Sequence, residues 1–199
     1  MTQPLTTLQE TPSQTAGPYV HIGAIPSFAG IPGIYPEDLG LTAIEPGALG
    51  EQITITGSVI DGTGWALRDA MIETWQPDAR GLFPGQPGAD PAVNGFARLA
   101  ADKDSGEFTL TTIKPGPTTL RDGTPQSPHI ALWIVARGIN IGLQTRIYFD
   151  DEDNSGDPLL NRIEQRPRAQ TLIAKCTAKG HYRFDIRLQG DNETVFLDL

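Results

Sequence analysis

The sequence predicts an all-β protein, a β-sandwich of about nine mostly antiparallel strands with long loops and at most one or two short helices. Three observations lead there. From residue 51 onward, short runs of β-branched and aromatic residues are separated by Gly-, Asp- and Pro-rich turns. Tyr182, Phe184, Ile186 and Leu188 alternate with Arg183, Asp185 and Arg187, the pattern of a strand with one buried face. The chain also carries 22 Gly and 17 Pro in 199 residues, which favours many turns over long helices.

Each element follows from its residues. Residues 1–10 are polar and are expected to be mobile in the isolated chain. Thr11 to Gly23 holds two prolines and two glycines beside Tyr19, Val20 and Ile22, so an extended arm packed on another surface is expected there. Residues 24–50 contain nine Gly and Pro and no clear period, which makes them a long surface connection, functional or covered by a partner. The chain is then one domain, residues 1–199, with an extended N-terminal arm over about residues 1–50.

Ile53, Ile55 and Val59 open the strand series, and Asp61-Gly62-Thr63-Gly64 turns it. Strands are expected over 70–76, 96–100, 108–113, 130–136, 143–149, 171–176, 182–188 and 194–199. The run 130–136 is apolar throughout and suits a strand buried on both faces. His129 stands where it begins and Arg137 where it ends, at sheet margins where a pocket can open. Asp157-Pro158 is a good helix start, Asp as N-cap and Pro at the first position, so a short helix is expected to about Glu164.

Charge and composition narrow the function classes. A net charge of −9 disfavours nucleic acid and anionic membrane as partners. No apolar run approaches the ~20 residues of a membrane span, and the N-terminus has neither the basic nor the apolar region of a signal peptide. One cysteine excludes an internal disulfide framework. A soluble cytoplasmic protein is the expectation.

Candidate chemistry is sparse. Asp151, Asp153 and Ser155 before Gly156 mimic the first half of a calcium loop, but Arg162 stands where the bidentate glutamate belongs, so 150–157 reads as a solvated turn. Cys176 has no base beside it in sequence and reads as a small packed residue. Two ligands on one face of a strand must be spaced by two, and the position two after His129 is Ala131, so His129 reads as a hydrogen-bonded structural histidine. Arg137, followed by Gly138, could hold a carboxylate in a forked pair or be a surface charge at a strand end.

Several separated segments together carry a resemblance. The arm from Thr11 to Tyr19, Glu73-Thr74-Trp75-Gln76-Pro77-Asp78, Thr112 to Pro117, Pro128-His129-Ile130 and Ala136 to Asn140 resemble the intradiol aromatic-ring dioxygenases, as do Tyr148 to Glu152 and Glu193 to Phe196. The resemblance runs from about residue 9 to the C-terminus. It implies a β-sandwich whose catalytic members hold a ferric ion with two tyrosines and two histidines and cleave a catechol between its hydroxyl-bearing carbons.

Carried over position by position, the ligands are degenerate. The first tyrosine falls on Phe83, the second on Thr118, and of the two histidines one remains as His129 while the other is Ala131. Phe and Ala cannot coordinate, and one imidazole does not retain a ferric ion. The resemblance therefore implies an iron-free chain, with non-haem Fe(3+) held by a partner beta chain, protocatechuate and dioxygen meeting at the shared site, and a higher alpha–beta oligomer. It implies that this chain lends Thr15, Gly17, Pro18, Tyr19 and Arg137 to the border of that pocket. Two alternatives stand beside it. A self-sufficient catechol-type enzyme is opposed by the missing ligands and by the lack of a helical N-terminal dimerisation segment. A non-catalytic β-sandwich binding module is opposed by the co-occurrence of the motifs.

Overall fold

The computed structural model describes residues 14–198. The expectations for residues 1–10 and for Thr11, Pro12 and Ser13 lie outside the described residues. Eleven strands occur among the described residues, in chain order β1 (Gln52–Ile60), β2 (Met71–Trp75), β3 (Phe96–Ala100), β4 (Glu107–Ile113), β5 (Thr118–Thr119), β6 (Pro125–Gln126), β7 (Ile130–Val135), β8 (Leu143–Phe149), β9 (Ile173–Ala178), β10 (His181–Arg183) and β11 (Ile186–Arg187).

Strands β3, β2, β7 and β8 form one antiparallel run. On the other side β4 pairs antiparallel with β1, whose far edge takes β10 and β11 in parallel, and β9 follows β10. A short parallel contact between Tyr148–Phe149 and Ile173–Ala174 joins the two. Their inner faces meet in one core that includes Ile53, Ile55, Ile72, Phe108, Leu132, Ile134 and Ile147. That is the predicted sandwich, with more parallel pairing than its alternating patterns implied.

The strand expected over 182–188 is present in two pieces. Tyr182, Phe184 and Ile186 are buried as the alternation requires, and both pieces keep one register against β1. At the break, Asp185 Oδ1 accepts from the Ser58 N–H at 3.1 Å, so a side chain replaces a ladder carbonyl. Gly57 lies opposite, where a Cβ would meet the Phe184 carbonyl oxygen at 1.8 Å. Only glycine permits that approach.

Six local expectations are corrected. The arm is not extended throughout, since Pro18–Ala24 forms a short helix, α1. Proline stands at its first positions, where the missing N–H is no loss and the fixed φ suits a helix. The run after Asp157 tightens into a 3-10 turn, Leu160–Arg162, and a second 3-10 helix spans Arg166–Leu172, delaying the next strand to Ile173. Residues 194–198 make an isolated bridge, Gln144 to Leu197, in place of a strand.

Strand β7 is not buried on both faces, because Trp133 on its outer side remains exposed. Cys176 is exposed rather than packed. From Lys175 to Ala178 its strand β9 is exposed on both sides, and sulfur has no core to enter there.

The outer face of the β3–β2–β7–β8 run is covered unevenly. Ile25 packs with Met71 and Val135, joined by Ala16, Val20, Ala24 and Phe28, so the arm covers one end of that face. Arg98 ties the arm down: Nε and Nη2 reach Glu73 Oε1 at 2.8 and 2.7 Å, while Nη1 donates to the Ala24 carbonyl at 3.0 Å. No helix among the described residues is long and apolar enough to cross a membrane.

Candidate functional site

Of the four positions that the resemblance gives as degenerate ligands, the fold links His129, Ala131 and Phe83. His129 and Ala131 project from the outer side of β7. The ladder sets Arg146 opposite Ala131, and by continuation Tyr148 opposite His129. Ala131 also faces Trp75 on β2, and Phe83 stacks on that indole with centroids 5.9 Å apart and planes 12° from parallel. The Phe83 turn is held by Asp78, whose carboxylate accepts from the N–H groups of Arg80, Leu82 and Asp90. This turn presses on the next one: a Cβ on Gly81 would lie 1.9 Å from the Pro117 carbonyl. Thr118 is buried, its hydroxyl 3.4 Å from Gln126 Oε1.

His129 fits its structural reading. It is buried, and Nδ1 donates to the Ser127 carbonyl at 2.8 Å. A carbonyl only accepts, so Nδ1 carries the proton and Nε2 the lone pair. Burial, aided by the Arg146 guanidinium, pushes its pKa down to about 4, so the ring is neutral at pH 7.

Behind it, Tyr148 donates to Asp157 Oδ1 at 3.1 Å, and burial pushes the phenol well above its ordinary range. The place beside Ala131 is taken by a guanidinium that cannot lose its charge, with Nε buried and unpartnered. One imidazole, a phenylalanine, a threonine, an alanine and a fixed cation do not make a ferric site. Among the described residues no group of three or more His, Cys, Asp or Glu could hold a metal ion.

The acidic loop is largely exposed, as expected of a solvated turn, but two of its carboxylates are tied to a lysine. Lys114, half-buried above the rings of Phe149 and Tyr182, bonds Asp151 Oδ2 at 2.9 Å and Glu152 Oε1 at 2.8 Å. Burial alone would lower its pKa, but the hydrogen bonds with Glu152, Asp151 and Tyr182 outweigh that and raise it. Asp157 is fully buried and accepts from Ser127 N–H, Tyr148 O–H and the N–H groups of Leu159 and Leu160. Asp157 thus binds the N–H groups that open the turn, although the 3-10 turn itself begins at Leu160, and it also braces the start of β7.

The other end of β7 carries the remaining site residues. Thr15 and Arg137 come together: the Thr15 hydroxyl accepts from the Gly138 N–H at 2.8 Å and lies 3.4 Å from the Ala136 carbonyl, so it grips both neighbours of Arg137. Gly138 is at φ 90°, and the backbone it lets approach is this chain's own arm. Gly17 is the extended N-cap of α1, Pro18 is its first residue, and Tyr19 is 84% exposed. Arg137 opens into a cavity of about 380 Å³ whose lining includes His21, Phe28, Arg68, Asp69 and Lys103. Three cations on one small cavity stand out in a chain of net charge −9. Sequence reading missed Asp69 and Arg146, because each acquires its neighbours from strand register.

Comparison with known proteins places this geometry. The Dioxygenase family model matches residues 35–190, and the chain belongs to that family, the intradiol ring-cleavage dioxygenases, which use non-haem iron. Its sequence is 49% identical over 200 residues to the protocatechuate 3,4-dioxygenase alpha chain of Pseudomonas putida, covering 98% of this chain and 99% of that one. It is 40% identical to the alpha chain of Burkholderia cepacia, covering 98% and 100%. The beta chain from Burkholderia cepacia is 32% identical over 79% of this chain and 73% of its own length. Among solved structures, 3-chlorocatechol 1,2-dioxygenase from Rhodococcus opacus 1CP superposes with a TM-score of 0.60 at 20% identity, covering 78% of this chain and 69% of that one, a likeness of fold.

Proposed function

We propose that this chain is the alpha subunit of a protocatechuate 3,4-dioxygenase, and that residues 1–199 act as one sandwich domain with an N-terminal arm. It works with a beta chain, in a complex that opens the ring of protocatechuate between its hydroxyl-bearing carbons with dioxygen, giving 3-carboxy-cis,cis-muconate. Ferric iron belongs to the beta chain, and this chain binds none. The observation that carries this reading is the set Phe83, Thr118 and Ala131 at the ligand positions, in a chain similar over nearly its whole length to proteins named as alpha chains.

The border role of Thr15, Gly17, Pro18, Tyr19 and Arg137 rests on chemistry. Gly17-Pro18 offers a thin wall for a flat ring, Tyr19 an exposed phenol, and Arg137 a solvent-facing guanidinium suited to a benzoate carboxylate. Exposed Ile34, Leu39 and Leu49 on the connection after the arm support coverage by the beta chain. A cytoplasmic location accords with the single cysteine and the reduced compartment it implies.

The test is to purify this chain alone and together with its beta chain. The expected result is a colourless, inactive solo chain and an iron-loaded, active complex. Visible tyrosinate-to-iron absorbance in the solo chain would overturn the reading.

A further inference from the structure

We propose that Asp69 is a positioning residue for Arg137, aiming its terminal nitrogens at the substrate carboxylate; this rests on the assignment of Arg137 to the border of the pocket. The β2–β7 register pairs Met71 with Val135, and two residues beyond the ladder it sets Asp69 opposite Arg137. Asp69 Oδ2 lies 3.5 Å from Arg137 Nε. Contact through Nε occupies one edge of the guanidinium and leaves the end carrying the two terminal nitrogens for a forked pair.

The two partners are unequally mobile. The Arg137 side chain is 79% exposed and that of Asp69 35%, with Asp69 Oδ1 buried in the wall. An exposed ion pair of this kind adds little to stability. Its value lies in restricting a side chain that would otherwise lose much rotamer freedom on meeting its ligand. Thr15 fixes the backbone on either side of Arg137, so Asp69 has the side chain left to orient.

Among the described residues, Asp69 is also the one carboxylate in a cavity lining that holds Arg68, Lys103 and Arg137. If the lining acted only as positive charge, an aspartate would weaken it. The two roles therefore predict opposite signs for the same substitution.

The test uses the assembled alpha–beta enzyme with protocatechuate and with catechol, which lacks the carboxylate. Positioning predicts that Asp69→Asn raises KM for protocatechuate three- to tenfold with little change in kcat, and leaves catechol turnover as it was. Asp69→Glu should restore most of the loss, and Asp69→Asn should add nothing in an Arg137→Ala background. A fall in KM, or an equal loss with both substrates, overturns the proposal. If Arg137→Ala raises KM while Asp69→Asn does not, the proposal fails and the assignment of Arg137 stands. If Arg137→Ala leaves KM unchanged, that assignment fails and the proposal with it.

Discussion

The two ends of β7 are finished in opposite ways. At its start His129 is 6% exposed, hydrogen-bonded to Ser127, packed on Tyr148 and backed by Asp157. At its end the Arg137 side chain is 79% exposed and makes one long contact, to Asp69. One strand thus carries a closed polar cluster and an open cation. The closed end lies where the resemblance would put a metal ligand, and here Ser127, His129, Tyr148 and Asp157 hold the neighbouring loops together. The open end holds a charge that this chain does not neutralise closely, as expected of a residue whose ligand comes from outside.

Substitution can break or sharpen that contrast. The largest effect is expected from Asp157→Ala, which leaves four donors without their acceptor in a buried place. A loss of about 4 kcal/mol in chemical denaturation is expected, and less than about 1 would show that the closed end does not hold the fold. His129 comes next. Its folded pKa, about 4, lies below the ordinary 6.5, so the unfolded chain takes up the proton first. Stability that is whole above pH 6.5 is lost as pH falls through about 4, amounting to about 3 kcal/mol. His129→Gln should flatten that acid limb in melts between these pH values.

Lys114→Met should cost about 2 kcal/mol, because Asp151 and Glu152 then face one another without their cation. The raised pKa of Lys114 means this contribution stands through neutral pH and fades only above the ordinary lysine range. The smallest effect is at the open end. Arg137→Ala should leave melting almost unchanged while raising KM for protocatechuate about tenfold, equivalent to about 1.4 kcal/mol. Equal KM values for the variant and the parent would erase the functional half of the contrast.

Much of the scaffold was legible because strands announce themselves by side-chain period. Leu143–Phe149 and Phe96–Ala100 fall where expected. The helix at Pro18 was misread because proline excludes a helix interior and favours a helix start, and the residues following Gly17 do not say which applies. The pairing within the acidic loop was not legible because its cation, Lys114, lies 37 residues before Asp151 and reaches it only once the sandwich has closed.

The sequence alone determined the all-β class, which depends on residue type and local period, while the ligand positions Phe83, Thr118, His129 and Ala131 and the border role of Arg137 came from the resemblance its motifs carry. The tertiary structure decided which of those residues stay open to a partner. Burial and pairing depend on strand register, which set Tyr148 beside His129 and Asp69 beside Arg137. The β2–β7 register joins residues far apart in sequence, whereas that of β7 and β8 is set by the connection between them.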